Sequence, residues 1–364
     1  YDLTRRFEQL GIAVKTVYLY GEKSDRTLPL HGDDVCLDGT ANHILERFPK
    51  LAPGLLKGVL KEIRSFGPDI VQVNGSRTVK YGAAAKRFSG KTPWKLIYRN
   101  IGIPSDWHHW WGSVMVYRRA IMPQMDGVIG VSRYSLENAK SLYQLRVPSE
   151  IILNGISPER LTTTTTRDAF RAEQGAGPDD TVLLFVGFMD ENKRPERFVK
   201  ALARVAREIP GARGWMVGDG PLKERAEALA GRLGLGDRIR FFGSQDDVAS
   251  FMQAADIFVM TSHTEGTPAV ILEAGYMGLP VVATRVGIDG VVAVRQRICG
   301  LVGGLVTGLF VLSHVPLGLV LRLASAGRVQ RRSGNVVGRA GRFGGARLLG
   351  RLHPVLVCHD GLPL

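Results

Sequence analysis

Two glutamates and two basic residues in this chain have types and positions that suit ligand binding. Glu265 and Glu273 stand on either side of the point where a polar loop becomes a helix. Lys193 and Arg194 immediately precede another predicted helix, over 196–208. Cations at a helix N-terminus oppose the helix macrodipole, so their presence there indicates an anion between them. A solvated basic pair at a helix start is the simpler alternative, and it stays open here.

The residues around Glu265 and Glu273 predict a strand over 257–261, a loop, a helix and a second strand over 280–284. The first strand is a short apolar run, which is typical of a parallel sheet buried on both faces. Thr267 is the predicted N-cap of the helix, because threonine is common at that position, and the proline after it suits the first turn. A loop between a strand and such a helix is where open α/β sheets bind ligands, and free N–H groups there favour phosphate.

Two further loops are candidates for the same site. One follows a buried strand over 182–186, begins at Gly187 and ends at Lys193 and Arg194, where the next helix starts. The other is the turn that begins at Gly218, whose sequence is GDGP. Glycines in such a turn let the backbone approach a ligand, but they also suit a plain tight turn. Both interpretations of Gly218 stay open.

Histidines in the first half of the chain are candidates for acid–base chemistry. A buried strand over 94–98 runs on to Asn100, and the sequence PSDWHHWWG follows. His108 and His109, beside Asp106, invite the hypothesis of a general base. The alternative, which we expect, is that two histidines flanked by tryptophans pack against a cleft or line its edge.

The order of strands and helices predicts an α/β protein with two doubly wound, Rossmann-like domains. We expect the first domain over 1–161 and the second over 181–287. Residues 162–180 begin with five consecutive threonines and have polar flanks, which predicts an inter-domain linker. Residues 288–364 form an atypical tail rich in Gly, Arg and Val.

The tail contains a long stretch without charge. Residues 298–321 include no Asp, Glu, Lys or Arg, and this length is enough to cross a bilayer. Their glycines are poor helix formers, however, and Pro316 interrupts the end of the stretch. An abrupt change to Arg- and Gly-rich sequence also suits a shifted reading frame. We expect the shifted frame, and the membrane anchor remains the alternative.

Composition narrows the class of protein. The net charge is +14, and residues 288–364 contribute +8 of it through ten Arg and two Asp. No basic stripe interleaved with aromatic residues is visible, so we exclude nucleic acid as a partner. The three cysteines have neither disulfide nor metal-ligand spacing, which favours a reducing, cytoplasmic setting.

The spacing Glu265-x7-Glu273 resembles the signature of family 4 glycosyltransferases, and the resemblance extends over about 3–287. Other blocks carry it too. In chain order they are PDIVQVNG, DGVIGVSRYSLENAKSLYQL, IILNGIS, VLLFVGFMDENKRPERFVKAL, WMVGDGPLKERAEALAGRLGL, IRFFGSQDDVASFMQAADIFV and GLPVVATRVG. The resemblance implies the GT-B fold, in which two domains face a cleft. It also implies transfer of a sugar from a nucleoside-diphosphate-sugar donor to an acceptor hydroxyl, with retention of configuration.

The resemblance assigns roles to the charged residues. Glu273 is expected to bind the ribose hydroxyls, because a carboxylate suits a vicinal diol. Glu265 is expected to hold the donor sugar, and Lys193 and Arg194 to hold the diphosphate. The departing phosphate can itself accept the acceptor's proton. No metal and no cofactor are expected, since cations and a helix N-terminus do this work.

The resemblance also names backbone and acceptor-side positions. The donor-side positions are Gly187, Gly218, Gly266, Thr267 and Pro268. The acceptor-side candidates are Asn100, His108 and His109. The acceptor is expected to be a glycan, a lipid-linked molecule or a small molecule, as in the synthesis of cell-envelope polysaccharide. The setting is cytoplasmic, with peripheral association at the inner face of the membrane as an open possibility.

The sequence also departs from the family pattern. Phe188 stands where the family has arginine, and Asn100 stands where it often has histidine. The strand and Gly-rich loop that come before the first helix in the family are missing, so we expect a truncated amino end and an aberrant tail. Two alternatives follow: a nucleotide-sugar-binding remnant without turnover, and a GT-B sugar-nucleotide 2-epimerase.

Overall fold

The computed structural model describes residues 2–20, 32–39, 51–90, 93–108, 110–284, 286, 309–312 and 355–359. The chain divides into two compact units between Leu153 and Asn154. The first unit also includes the strand near the carboxyl end of the chain, at 355–359. Each unit is an α/β structure with one parallel sheet.

Strands and helices alternate in the first unit. Its elements are α1 (Asp2–Gln9), β1 (Val14–Tyr20), β2 (Val35–Gly39), α2 (Pro53–Phe66), β3 (Ile70–Asn74), α3 (Gly75–Phe88), β4 (Lys95–Asn100), α4 (Pro104–Trp107), α5 (Trp111–Val116), a π-helical turn (Tyr117–Ile121), a 3-10 turn (Met122–Gln124), β5 (Gly127–Gly130), α6 (Arg133–Tyr143) and β6 (Ser149–Ile151).

The second unit continues the alternation, and the last strand returns to the first unit. The second unit contains a 3-10 turn (Pro158–Leu161), α7 (Arg167–Glu173), β7 (Thr181–Val186), α8 (Pro195–Glu208), β8 (Ala212–Val217), α9 (Lys223–Arg232), a 3-10 turn (Gly236–Arg238), β9 (Ile239–Phe241), α10 (Val248–Ala254), β10 (Ile257–Met260), α11 (Ala269–Tyr276), β11 (Val281–Thr284) and β12 (Leu309–Leu312). The returning strand is β13 (Val355–His359).

The sheet of the second unit is doubly wound. Its strand order is β12-β11-β10-β7-β8-β9, and its strand pairs are parallel. Apolar side chains of β7 and β10 enter a buried cluster on each face, which explains why these strands are continuous apolar runs. The chain reverses its direction of winding between β7 and β10. The carboxyl ends of these two strands therefore border the switch point, where such sheets bind ligands.

The sheet of the first unit has an out-of-sequence strand in its interior. The order is β2-β1-β13-β3-β4-β5-β6, and β13 is parallel to both neighbours. Val357 lies opposite Thr16 on one side and Gln72 on the other. If β13 is counted first, the order matches that of the second sheet. A segment near the carboxyl end thus occupies the position of the strand that is missing before α1.

The predicted linker over 162–180 contains a helix that packs on the second unit. Thr166 caps α7, because its side chain accepts a hydrogen bond from Ala169 N at 3.3 Å. Phe170 and Arg171 of this helix are buried. The threonine run suggested a flexible connection. The helix that follows it nevertheless buries Phe170 and Arg171 in the second unit. The linker prediction is wrong for 167–173.

The prediction for the start of α11 is wrong by one residue. Pro268 rather than Thr267 is the N-cap, and no side chain caps the helix. The uncharged stretch over 298–321, for which a membrane anchor was the alternative to a shifted frame, lies outside the described residues except for β12, which pairs with β11. Among the helices that the structure describes, none has the length and apolar composition needed to cross a membrane.

Candidate active site

The loops that follow β7 and β10 lie side by side at the switch point of the second sheet. The Thr261 hydroxyl donates to the carbonyl oxygens of Lys193, at 2.8 Å, and Arg194, at 3.1 Å. The backbone N–H of Thr264 donates to Asn192 Oδ1 at 3.1 Å, and that of His263 donates to Asn192 O at 2.6 Å. Hydrogen bonds to backbone on both sides fix the two loops relative to each other.

This arrangement brings together two of the predicted site residues. Lys193 Nζ donates to Glu265 Oε1 at 2.7 Å. The Glu265 side chain is only 10% exposed and that of Lys193 is 25% exposed, so water weakly screens the pair. The Lys193 backbone N–H is fixed separately by Asp190 Oδ1 at 2.8 Å. A partly buried ammonium held by one carboxylate keeps further donors for an incoming anion.

Arg194 begins α8 in an unusual backbone conformation. Its φ of 51° is left-handed, which is uncommon for a residue with a side chain and costs on the order of 1 kcal/mol. The backbone N–H donates to Asp190 O at 3.0 Å, and the carbonyl accepts the Thr261 hydroxyl. These contacts hold the strained residue in place beside Lys193.

Gly187 and Gly218 allow two backbone segments to approach closely. Gly218 has a φ of 126°, and a Cβ at this position would lie 2.1 Å from Gly187 O. Gly187 N donates to Val217 O at 3.0 Å, and Gly218 N donates to Gly243 O at 2.7 Å. The close approach of the backbone at 218 to the backbone at 187 leaves no room for a side chain, and this alone explains the glycine at 218. The geometry therefore agrees with the tight-turn interpretation of Gly218.

Glu273 lies inside α11, half-buried. Burial raises the pKa of its carboxyl, and the positive charge of Arg160 acts against that rise. The residues before the helix, Gly266, Thr267 and Pro268, are buried. α11 has no acidic residue in its first turn, so the positive end of its dipole is not neutralised by its own side chains.

Asn100 does not reach solvent, which corrects the prediction of an acceptor-side role. Its side chain is fully buried. The Tyr98 hydroxyl donates to Asn100 Oδ1 at 3.1 Å, and Asn100 Nδ2 donates to Ser135 O at 2.9 Å. An amide with both groups bound inside the core stabilises the end of β4 and cannot touch a substrate. The sequence correctly places Asn100 at the end of β4. In the structure, however, its side chain points into the core.

His108 is likewise held by its neighbours. Its Nε2 lies 2.8 Å from the Tyr143 hydroxyl and its Nδ1 lies 2.7 Å from Ser113 Oγ. Burial, followed by repulsion from Tyr117, raises the pKa of Tyr143, so this hydroxyl keeps its proton. Hydrogen-bond partners at both ring nitrogens favour the packing alternative for His108 over a general base. His109 lies outside the described residues.

Several residues of this site escaped the sequence analysis. Asn192 and Thr261 fasten the two loops, and Asn154 Nδ2 donates to Thr267 O at 3.2 Å. Arg160 supplies the charge near Glu273. The hydrogen bond from Asn154 joins residues 113 positions apart, so no local pattern in the sequence indicates it. Within the described parts of the chain, no group of three or more His, Cys, Asp or Glu could hold a metal ion.

Two family models match the chain in succession. Residues 1–160 match the model described as Glycosyltransferase Family 4, and residues 166–302 match the model described as Glycosyl transferases group 1. The second match includes the loops after β7 and β10. It also extends past residue 287, where we expected the resemblance to end.

Curated relatives share parts of the chain. A lipopolysaccharide core biosynthesis glycosyltransferase, LpsE of Rhizobium meliloti, is 39% identical over 115 residues, which are 32% of this chain and 33% of that protein. The D-inositol 3-phosphate glycosyltransferase of Streptomyces bingchenggensis is 35% identical over 53% of this chain and 44% of its own length. The same enzyme of Actinosynnema mirum is 32% identical over 61% and 55%. The chain thus spans a third to about half of these relatives.

Solved structures share the fold. HepE of Anabaena, in complex with UDP-glucose, matches with a TM-score of 0.62 and 21% identity, over 78% of this chain and 82% of that one. The sucrose-phosphate synthase of Thermosynechococcus elongatus matches with a TM-score of 0.62 and 20% identity, over 79% and 74%. At these identities the likeness establishes the fold alone, and that fold is GT-B.

Proposed function

We propose that this family 4-like glycosyltransferase of the GT-B fold moves a sugar from a nucleoside-diphosphate-sugar donor to an acceptor hydroxyl, with retention of configuration. The observation that carries the proposal is the ion pair between Lys193 and Glu265 at the switch point of the second sheet. Relatives named as glycosyltransferases and a structural neighbour that binds UDP-glucose support it.

The proposed reaction needs a cation where the donor diphosphate lies. The bond between the anomeric carbon and the terminal phosphate oxygen breaks, and its electron pair leaves with the phosphate. Lys193 stabilises the negative charge that develops there, and the first turn of α11 adds its N–H groups. Arg194, at the start of α8, supplies a second cation in place of the arginine that Phe188 replaces.

The acceptor hydroxyl forms the new bond on the face that the phosphate leaves, which retains the configuration. Its proton passes to an oxygen of the departing phosphate. No histidine base is required in this scheme, which agrees with the bound state of both ring nitrogens of His108. Glu265 holds the sugar of the donor and orients Lys193.

Glu273 is proposed to accept hydrogen bonds from the two ribose hydroxyls of the nucleotide. A half-buried carboxylate inside a helix has little freedom, so it can receive both hydroxyls without a large loss of entropy. We propose that the protein works in the cytoplasm without a metal ion or cofactor. A glycan, lipid-linked or small-molecule acceptor is expected, as is glycan biosynthesis as the setting. Peripheral attachment to a membrane stays a prediction from the sequence.

Calorimetric titration of the whole chain with UDP, GDP and ADP tests the proposal. We expect one of the three to bind, with UDP tested first because the structural neighbour binds it. Lys193→Met should weaken that binding by roughly 10- to 150-fold, the usual loss for a charge-assisted hydrogen bond. Lys200→Met, which removes an exposed lysine of α8, is the matched control and should bind normally.

The outcomes separate the hypotheses. Binding together with sugar transfer supports the enzyme, and binding without hydrolysis or transfer of any nucleotide sugar supports the remnant without turnover. Absence of binding to all three nucleotides, by protein whose circular dichroism shows folded structure, would refute the proposed donor site.

A further inference from the structure

One large apolar side chain is open to solvent at the switch point of the second sheet. Phe188 follows β7 by two residues and is 50% exposed. Among the described residues of the second unit it is the only exposed phenylalanine. Its ring belongs to none of the buried apolar clusters, although Val186 packs against one of them and Met189 belongs to another. The ring therefore contributes little to the core of the unit.

The backbone on both sides of Phe188 is fixed. Gly187 N donates to Val217 O at 3.0 Å, and Met189 N donates to Asp219 O at 2.7 Å. The Met189 side chain is fully buried. The exposed ring is thus attached to a well-anchored segment of the chain. A side chain that is held in this way loses little conformational freedom when a ligand covers it.

Phe188 is also a close neighbour of the ion pair in the site. A Cβ built on Gly187 would lie 3.7 Å from Cγ, Cδ and Cε of Lys193, so the stem of this lysine passes beside the residue that precedes Phe188. The ammonium at the end of the same stem donates to Glu265 at 2.7 Å. An aromatic ring, a cation and a carboxylate therefore occur together. Ligand sites typically combine an apolar surface with a few fixed polar groups.

We propose that Phe188 binds the sugar of the donor, and that this sugar is a pyranose with one C–H face against the ring. The inference rests on the proposed function, which supplies the nucleoside-diphosphate-sugar donor. It adds the residue that distinguishes the sugar from the rest of the donor.

The chemistry of a pyranose fits this combination of groups. Its hydroxyls lie around the rim of the ring, where a carboxylate can accept their hydrogen bonds. Its C–H groups lie on the faces and carry partial positive charge, whereas the face of an aromatic ring is negative. Stacking of the two faces is therefore attractive, and it removes apolar surface from water. Glu265 would bind the rim of the sugar while Phe188 covers one face.

The position beside Lys193 favours the sugar over the base of the nucleotide. Lys193 is proposed to hold the phosphate from which the sugar departs, so groups around it meet the sugar end of the donor. The ribose is assigned to Glu273, in α11. A ring that stacked on the base would strengthen the binding of bare nucleotide and of nucleotide sugar equally. This difference can be measured.

The experiment compares bare nucleotides with nucleotide sugars, using the whole chain. Calorimetry measures the affinities for UDP, UDP-glucose and UDP-N-acetylglucosamine, with GDP and GDP-mannose or ADP and ADP-glucose in their place if UDP does not bind. Phe188→Ala removes the ring, and Phe188→Tyr keeps it. Phe88→Ala, at the end of α3, is the matched control, because Phe88 is a phenylalanine that is 67% exposed.

For Phe188→Ala we expect the affinity for the nucleotide sugar to fall about three- to tenfold, as for the loss of roughly half the burial of one aromatic side chain. The affinity for the bare nucleotide should stay the same. Phe188→Tyr should keep both affinities, and Phe88→Ala should match the wild type. The urea midpoint of Phe188→Ala should equal that of the wild type, because the ring lies outside the core.

Three results would overturn the inference while the proposed donor site stands. They are equal losses for nucleotide and nucleotide sugar in Phe188→Ala, unchanged affinity for the nucleotide sugar in that variant, and a wild-type chain that binds a bare nucleotide but none of the nucleotide sugars. A folded wild-type chain that binds neither kind of ligand refutes the proposed donor site itself, and the role of Phe188 falls with it.

Discussion

Glu265 and Glu273 share a residue type but have different surroundings. Glu265 is in an ion pair with Lys193, whereas Glu273 is half-buried in a helix, where burial raises the pKa of its carboxyl and the charge of Arg160 lowers it. A carboxylate that already neutralises a cation competes with phosphate for that cation. A carboxylate in a helix without such a partner can turn its acceptor oxygens to a ligand. The two side chains should therefore fail in different ways when they are changed.

We expect Glu273→Gln to weaken nucleotide binding by roughly 10- to 150-fold, with a smaller effect on turnover. Glu265→Gln should leave nucleotide affinity unchanged or raise it, because Lys193 loses its competing carboxylate, and should lower kcat instead. Calorimetry with the nucleotide and initial rates of sugar transfer measure the two effects separately. Equal loss of nucleotide affinity in both variants would contradict this division.

The stability of Glu273→Gln is the control for that comparison. Because burial raises the pKa of Glu273 in the folded chain, the folded state binds the proton more tightly than the unfolded state does. The ionised carboxyl therefore lowers stability as the pH rises from its ordinary unfolded pKa through the raised folded pKa. The variant should be at least as stable as the wild type at neutral pH, and this difference should shrink as the medium is acidified.

At the scale of elements, α7 is attached to the second sheet through one buried arginine. Arg171 is 2% exposed and donates to the carbonyl oxygens of Ala254, at 2.9 Å, Gly177, at 2.8 Å, and Asp180, at 2.6 Å. Arg171 also donates to Asp256 at 3.1 Å. The same carboxylate accepts a hydrogen bond from the backbone N–H of Val182 in β7, at 2.8 Å. This network joins α7 to the strands whose ends form the site.

Arg171→Met should destabilise the second unit by about 3–5 kcal/mol, because three carbonyls lose their buried donor and Asp256 loses one of its two arginine partners. The loss should appear as a lower urea midpoint. Arg167→Met is the matched control: Arg167 binds the same carboxylate from the same helix, but its side chain is 31% exposed, and we expect a smaller loss, about 1 kcal/mol. Similar midpoints for the two variants would show that burial of Arg171 is not what matters.

Local patterns explain which elements could be predicted. Apolar runs gave β7, β10 and β11 within one residue, because a strand in a parallel sheet is buried on both faces. The helix α7 was missed because the polar run before it dominated the pattern. The proximity of Lys193 and Glu265 could be anticipated, because each follows a strand that ends at the same edge of the sheet. The hydrogen bond from Asn154 could not, since turn residues leave no trace of a distant partner.

At the scale of the molecule, β13 is the feature that no local pattern indicates. Its residues stand in a tail that looked foreign to the rest of the chain, yet they complete the first sheet between β1 and β3. A strand in the interior of a sheet uses its N–H and C=O groups on both sides. The first unit should therefore depend on a segment that is remote in the sequence.

Val357→Pro tests this dependence, because proline removes a ladder hydrogen bond and clashes inside a sheet. We expect a loss of roughly 3 kcal/mol or more, and faster amide hydrogen exchange in β1 and β3 than in β7 and β10, measured by mass spectrometry. Val311→Pro places the same change in β12, at the edge of the second sheet, and should cost less. Unchanged exchange in β1 and β3 of Val357→Pro would show that β13 is dispensable.

The position of β13 also sets the order in which the two halves can finish folding on the ribosome. β1 and β3 are synthesised first, but the strand that lies between them follows only after the rest of the first unit and the whole second unit. The interval runs from the end of β3 at residue 74 to the start of β13 at residue 355. At ordinary rates of translation the wait is roughly ten seconds or longer. During this time β1 and β3 each present an open edge, which favours pairing with other chains. The half of the protein that is made first is thus completed last, and it has the greater need of a chaperone.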